Sequence, residues 1–186
     1  MNRTVPIVAS ALALTAIVVA PGASTAKQAD VHASRSYRIV TSNGVVTRLG
    51  PLRTRDPTLA RATAVFGQPS SISGRGNLCN VRWRSRRIFA RFVNLGGQTA
   101  CNPSFGRLQS FTVRSRAWRA PMGLRVGHTT TRLQEMFPNA ELRYGVWELV
   151  DAYYGYGDTG YVTTVAAIPR NGRVAALTMY VGGAGE

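Results

Sequence analysis

"GPLRTRDPTLARATAVFGQP", residues 50–69, and "GLRVGHTTTRLQEMFPNA", residues 123–140, follow one plan. Each opens on Gly and Leu-Arg, offers a polar cap, runs through a short amphipathic stretch ending in Phe, and stops at Gly or Pro. In the first, Asp56 is placed to cap, Pro57 suits a first helical turn, and Leu59, Ala62 and Phe66 recur on one face. Gly67 then ends the helix and Pro69 forbids its return. In the second, Thr129 to Thr131 supply cap hydroxyls, and Thr131 and Gln134 stand at capping-box spacing. Leu133, Met136 and Phe137 make its apolar face, and Pro138 closes it. Phe66 matches Phe137 at an offset of 71 residues, and Leu52 matches Leu124 at 72.

Three strand-like runs follow each helix: 78–85, 87–95 and 105–115 after the first, then 145–154, 161–168 and a final hairpin. Within the 78–85 run Cys79, Val81 and Trp83 alternate with Asn80, Arg82 and Arg84, the period of a half-buried strand. The hairpin, "IPRNGRVAALTMYV" (168–181), turns at Asn171-Gly172, a pair suited to two residues of positive φ. Asn43-Gly44 plays the same part in "YRIVTSNGVVTRL" (37–49). These signals predict an α+β fold of two tandem repeats, 37–120 and 121–186. Each repeat is a short helix, or helix pair, packed on an antiparallel sheet of three to four strands.

The Gly-Leu-x-Val-Gly-x-Thr opening of "GLRVGHTTTRLQEMFPNAE", its short helix and its aromatic-Pro stop resemble the repeat of the secreted β-lactamase inhibitory proteins. The stretch is similar also to the small lipoproteins of the outer-membrane assembly machinery. The resemblance covers roughly residues 45–182 and implies two tandem units whose joined sheets form a concave, partner-gripping surface. It also implies that Cys79 and Cys101 staple the first unit. The second unit has no cysteine, a departure from the inhibitor pattern. The inhibitors' enzyme-blocking loop has no residue-by-residue placement on this sequence, so β-lactamase inhibition is not carried over.

The chain begins "MNRTVPIVASALALTAIVVAPGASTA", with one basic residue, Arg3, ahead of a 16-residue apolar run from Val5 to Ala20. Pro21 and Gly22 break the run, and Ser24-Thr25-Ala26 places small residues at a signal-peptidase site. A membrane anchor is the competing reading, but the run is short of the roughly 20 residues a span needs. We therefore expect a signal peptide over 1–26, cleavage after about Ala26, a flexible leader over 27–36, and a secreted, extracellular protein with no transmembrane anchor. Exported and even in number, Cys79 and Cys101 most simply pair with each other.

Charge is uneven. Residues 27–120 hold 17 basic and 2 acidic side chains, whereas 121–186 hold 5 and 6. In a cytosolic protein such a basic half would suggest nucleic acid; export makes nucleic acid an unexpected partner. Two stretches are candidate binding surfaces. Arg82, Arg84, Arg86, Arg87 and Arg91 are read either as a solvated sheet face or as a patch for carboxylates and phosphates. "DAYYGYGDTGYV" (151–162) interleaves Tyr153, Tyr154, Tyr156 and Tyr161 with glycines and carries Asp158 near its tip. That composition suits an adaptable aromatic contact loop, and equally rings packed on a sheet.

No nucleophile-base arrangement stands out. His32 and His128 lie outside ligand spacing with the cysteines, and no phosphate-binding glycine loop occurs. Glu148 and Asp151, three apart on a predicted strand, should point to opposite faces. The expectation is a non-catalytic protein with no cofactor or metal. It would present an aromatic and arginine surface to an extracellular protein, as an inhibitor does. The alternatives are a cell-envelope binder of anionic polymers or lipids, and a small secreted hydrolase.

Overall fold

Alternating apolar and polar residues govern most of the chain, and the computed structural model turns nearly all of them into strands. It describes residues 36–55, 57–153 and 161–181, with Tyr153 and Tyr161 entering as backbone only. The first elements are β1 (Tyr37–Ser42), β2 (Val45–Leu49), β3 (Leu52–Arg53) and α1 (Leu59–Phe66). Next come β4 (Ser71–Arg75), β5 (Leu78–Trp83), a 3-10 turn at Arg84–Arg86, β6 (Ile88–Val93), β7 (Arg107–Val113) and β8 (Trp118–Arg119). A 3-10 turn at Pro121–Gly123 leads to α2 (Thr130–Met136), β9 (Glu141–Arg143), β10 (Val146–Tyr153), β11 (Tyr161–Arg170) and β12 (Arg173–Tyr180).

Strand makes up 51% of the structure, against two helices of eight and seven residues. The fold is mostly β, and the expected α+β pair of helix-backed repeats is corrected. One sheet has eight strands in the order β4-β5-β6-β7-β12-β11-β10-β9, and a second has four in the order β3-β2-β1-β8. Two physical reasons account for the difference. Gly67 and the Phe137-Pro138 stop hold each helix to about two turns. The strands after each helix also do not close two separate sheets. β7 pairs antiparallel with β12, Val113 opposite Leu177 and Phe111 opposite Met179, so two edges that would have stood open cover each other.

The 37–49 hairpin joins β3 and β8 in the smaller sheet instead of a repeat. Its turn docks on the larger one: Thr164 Oγ1 donates to the Gly44 carbonyl at 2.5 Å. A Cβ at Gly44, whose φ is +81°, would meet the Asp151 carbonyl oxygen at 2.1 Å. Only glycine fits that approach.

Both caps lie close to their expected places. Thr58 accepts the Arg61 N–H at 3.1 Å, and Thr129 accepts that of Arg132 at 3.1 Å. Asp56 lies outside the described residues, and Thr131 sits inside α2, so the capping-box spacing at 131 and 134 is not used. One core joins both sheets and both helices. At its centre Phe66 of α1 meets Trp83, Phe111 and Trp118, with centroids 5.7, 5.4 and 6.3 Å away, and Tyr37 stacks on Trp118 at 4.9 Å. Trp83 Nε1 donates to the Gly67 carbonyl at 2.7 Å and so closes the C-terminal end of α1.

Cys79 and Cys101 are joined in a disulfide, Cα atoms 5.0 Å apart, tying β5 to the loop between β6 and β7. Among the described residues no helix is long and apolar enough to cross a membrane. The expected signal peptide (1–26), His32 and all of the expected 27–36 leader except Ser36 lie outside the described residues.

Candidate functional site

The faces of the eight-stranded sheet differ because its strands alternate. Val81, Trp83, Ile88, Ala90, Phe111, Val113, Leu177 and Met179 turn to the core. The opposite parity carries one continuous cross-strand row: Ser71, Arg82, Phe89, Thr112, Thr178, Ala166, Glu148 and Glu141. At the middle of that row the Thr112 and Thr178 hydroxyls lie 3.0 Å apart, joining β7 to β12. The row begins basic and ends acidic.

Around its basic end lies an open groove of about 700 Å³, lined by Arg82, Arg84, Arg87 and Arg114 with Phe89 and Ile168. The Arg82 guanidinium carbon sits 5.6 Å from the centre of the Phe89 ring, a cation–π contact that holds the side chain over the sheet. Arg84 opens the 3-10 turn after β5. Arg87 ends that turn in the left-handed conformation, φ 54° and ψ 40°, and its N–H donates to the Arg84 carbonyl at 3.0 Å. The Arg87 carbonyl in turn accepts the Arg114 N–H at 3.0 Å. Arg87 and Arg114 are thereby placed side by side, one just before β6 and the other just after β7.

These four guanidinium groups are exposed, and among the described residues no carboxylate lies within 4.0 Å of them. Each retains free N–H donors in the planar fork that suits phosphate and carboxylate oxygens. The groove lining adds apolar surface and one threonine hydroxyl.

Of the arginines singled out by sequence, Arg82, Arg84 and Arg87 come together in this groove. Arg91 lies on the same face one row along, opposite Asn80 and Ser110, outside the groove lining. Arg86 turns the other way and donates to the Tyr37 hydroxyl at 2.8 Å, bracing the aromatic cluster. Sequence reading missed Arg114, Phe89 and Ile168. Arg114 shares the parity of Thr112, and pairing the 87–95 run with the 105–115 run would have set it beside Arg87.

Of the aromatic stretch, Tyr154, Tyr156 and Asp158 lie outside the described residues. Tyr153 and Tyr161 appear only as paired backbone of β10 and β11. The register of β10 shifts on both sides of Val150, so simple alternation does not relate Glu148 to Asp151. The chain matches no family model, no curated protein and no solved structure. The functional reading therefore rests on the chemistry of the groove.

Proposed function

We propose that this is an exported, non-catalytic binding module whose arginine groove holds an anionic polymer of the cell envelope. One observation carries the reading: Arg82, Arg84, Arg87 and Arg114 converge on a single open groove and none has an acidic neighbour within the described structure. Four like charges placed together repel one another, and an anionic ligand reverses the sign of that interaction. Among the described residues the groove lining offers donors and apolar contact, with no imidazole or carboxylate to move a proton, which favours a grip over a reaction. Export is supported by the Val5–Ala20 apolar run with its small-residue stop and by the disulfide.

The test is retention of the mature chain on immobilised polyphosphate and polyglutamate at low and high salt. Wild type should be held at low salt and released as screening shortens the reach of the charges. Replacing Arg82, Arg84, Arg87 and Arg114 by alanine should weaken binding on the order of 100-fold, taking exposed pairs at about 0.5–1 kcal/mol each. Replacing Arg132, Arg143 and Arg170 should leave it within about twofold, since the first two already hold carboxylates. Equal loss in both variants would show that bulk charge does the holding and would end the proposal.

A further inference from the structure

The arginine groove does not stop at Arg87 and Arg114. A second open cavity of about 700 Å³ shares those two residues and continues to Arg116, Gly127 and Arg173. Gly127 organises this extension. Its φ is +96°, and a Cβ there would come within 3.0 Å of the Arg116 Nε, so the bare glycine lets that guanidinium lie against the backbone. The Gly127 carbonyl accepts from Arg173 Nη1 at 3.0 Å, which fixes the second side chain from the other side. The Gly127 N–H is itself tied to the Val174 carbonyl at 2.8 Å, so the platform is held to the start of β12. Among the described residues neither Arg116 nor Arg173 has a carboxylate within 4.0 Å.

Resting on the reading of the first groove, we propose that Arg116 and Arg173 form a second anion subsite. The ligand is then a chain bearing anionic groups along its length, not a single anionic head. Arg82 and Arg84 mark one end, Arg116 and Arg173 the other, and the Arg87–Arg114 pair bridges them. A chain engaging the first subsite presents its next anion to the second at a high effective concentration. Affinity should therefore climb with chain length far more steeply than charge per unit alone requires.

The experiment measures dissociation constants at low ionic strength for orthophosphate, pyrophosphate and long-chain polyphosphate, with a glutamate oligomer series beside them to separate phosphate from carboxylate chains. Wild type should gain about 100-fold or more from the shortest to the longest member of the preferred series. R116A/R173A should lose at least about tenfold on the long chain while keeping wild-type affinity for pyrophosphate, the short anion. R82A/R84A should weaken both. Both arginine pairs are exposed, and unchanged thermal unfolding confirms that each variant is folded. A wild-type length dependence in R116A/R173A overturns the second subsite and leaves the first groove standing. Wild-type binding of every probe by R82A/R84A overturns the first reading as well.

Discussion

The two ends of the eight-stranded sheet use the same residue type in opposite ways. At the β9–β10 end Arg143 is spent on its neighbours, 2.5 Å from Glu141 and 3.8 Å from Glu148, and on α2 Arg132 holds Glu135 at 2.7 Å. At the β5–β7 end Arg82, Arg84, Arg87 and Arg114 lie beside Phe89, Thr112 and one another. A paired arginine closes a surface, whereas an unpaired cluster leaves donors for something outside the chain. The count of arginines says less about function than the distance of each to a carboxylate.

Four changes break or sharpen that contrast. The largest concerns the disulfide, which is confined to the arginine end. Replacing Cys79 and Cys101 by alanine should lower unfolding free energy by about 3 kcal/mol, read by denaturant titration. Polyphosphate affinity of the folded fraction should be retained, because neither sulfur lines the groove.

Next, Arg87 sits in a backbone conformation that glycine adopts freely. R87G should hold stability or raise it by up to about 1 kcal/mol while weakening polyphosphate binding several-fold. A fall in both would mean that Arg87 serves the fold. Third, E141Q/E148Q releases Arg143 and should tighten polyanion binding by about twofold, a test of whether pairing is what silences the far end.

The smallest effect is on pH. Burial holds the His128 pKa below its ordinary value of 6.5, and the Arg125 and Arg132 charges push in the same direction. The unfolded chain therefore takes up the proton first. Stability should be full above about pH 6.5 and slip as pH falls through the lowered folded value. H128Q should flatten that slope in unfolding titrations run across the acid range.

Much of the sheet was legible because buried strands must alternate. The Asn43-Gly44 and Asn171-Gly172 turns, the core parity of Val81 and Trp83, and the Cys79–Cys101 pairing all follow from local chemistry. The short strands β4 and β9 were not legible. "SISGR" and "ELR" lie on sheet edges, where only one neighbour and little burial constrain their composition.

Lateral order was hidden too, since nothing within residues 107–113 announces residues 173–180 as a partner. Without that pairing, the strands of the single eight-stranded sheet are divided between two repeats. The site suffered from the same limit. Proximity in sequence put Arg86 with its neighbours, while its bond to Tyr37 spans 49 residues. Arg114 joins the groove only through cross-strand register.

The pairing of β7 with β12 has a temporal consequence. Among the described residues β12 is the latest of the twelve strands, and its pairing with β7 is the only ladder joining the two halves of the larger sheet. A nascent polypeptide that has emerged only to the Asn171-Gly172 turn still shows the bare margins of both β7 and β11. Collapse to the finished state has to wait for the next eight residues. Such late closure keeps the preceding segment unlocked until the last strand arrives, so the folding of the larger sheet is timed by its final eight residues.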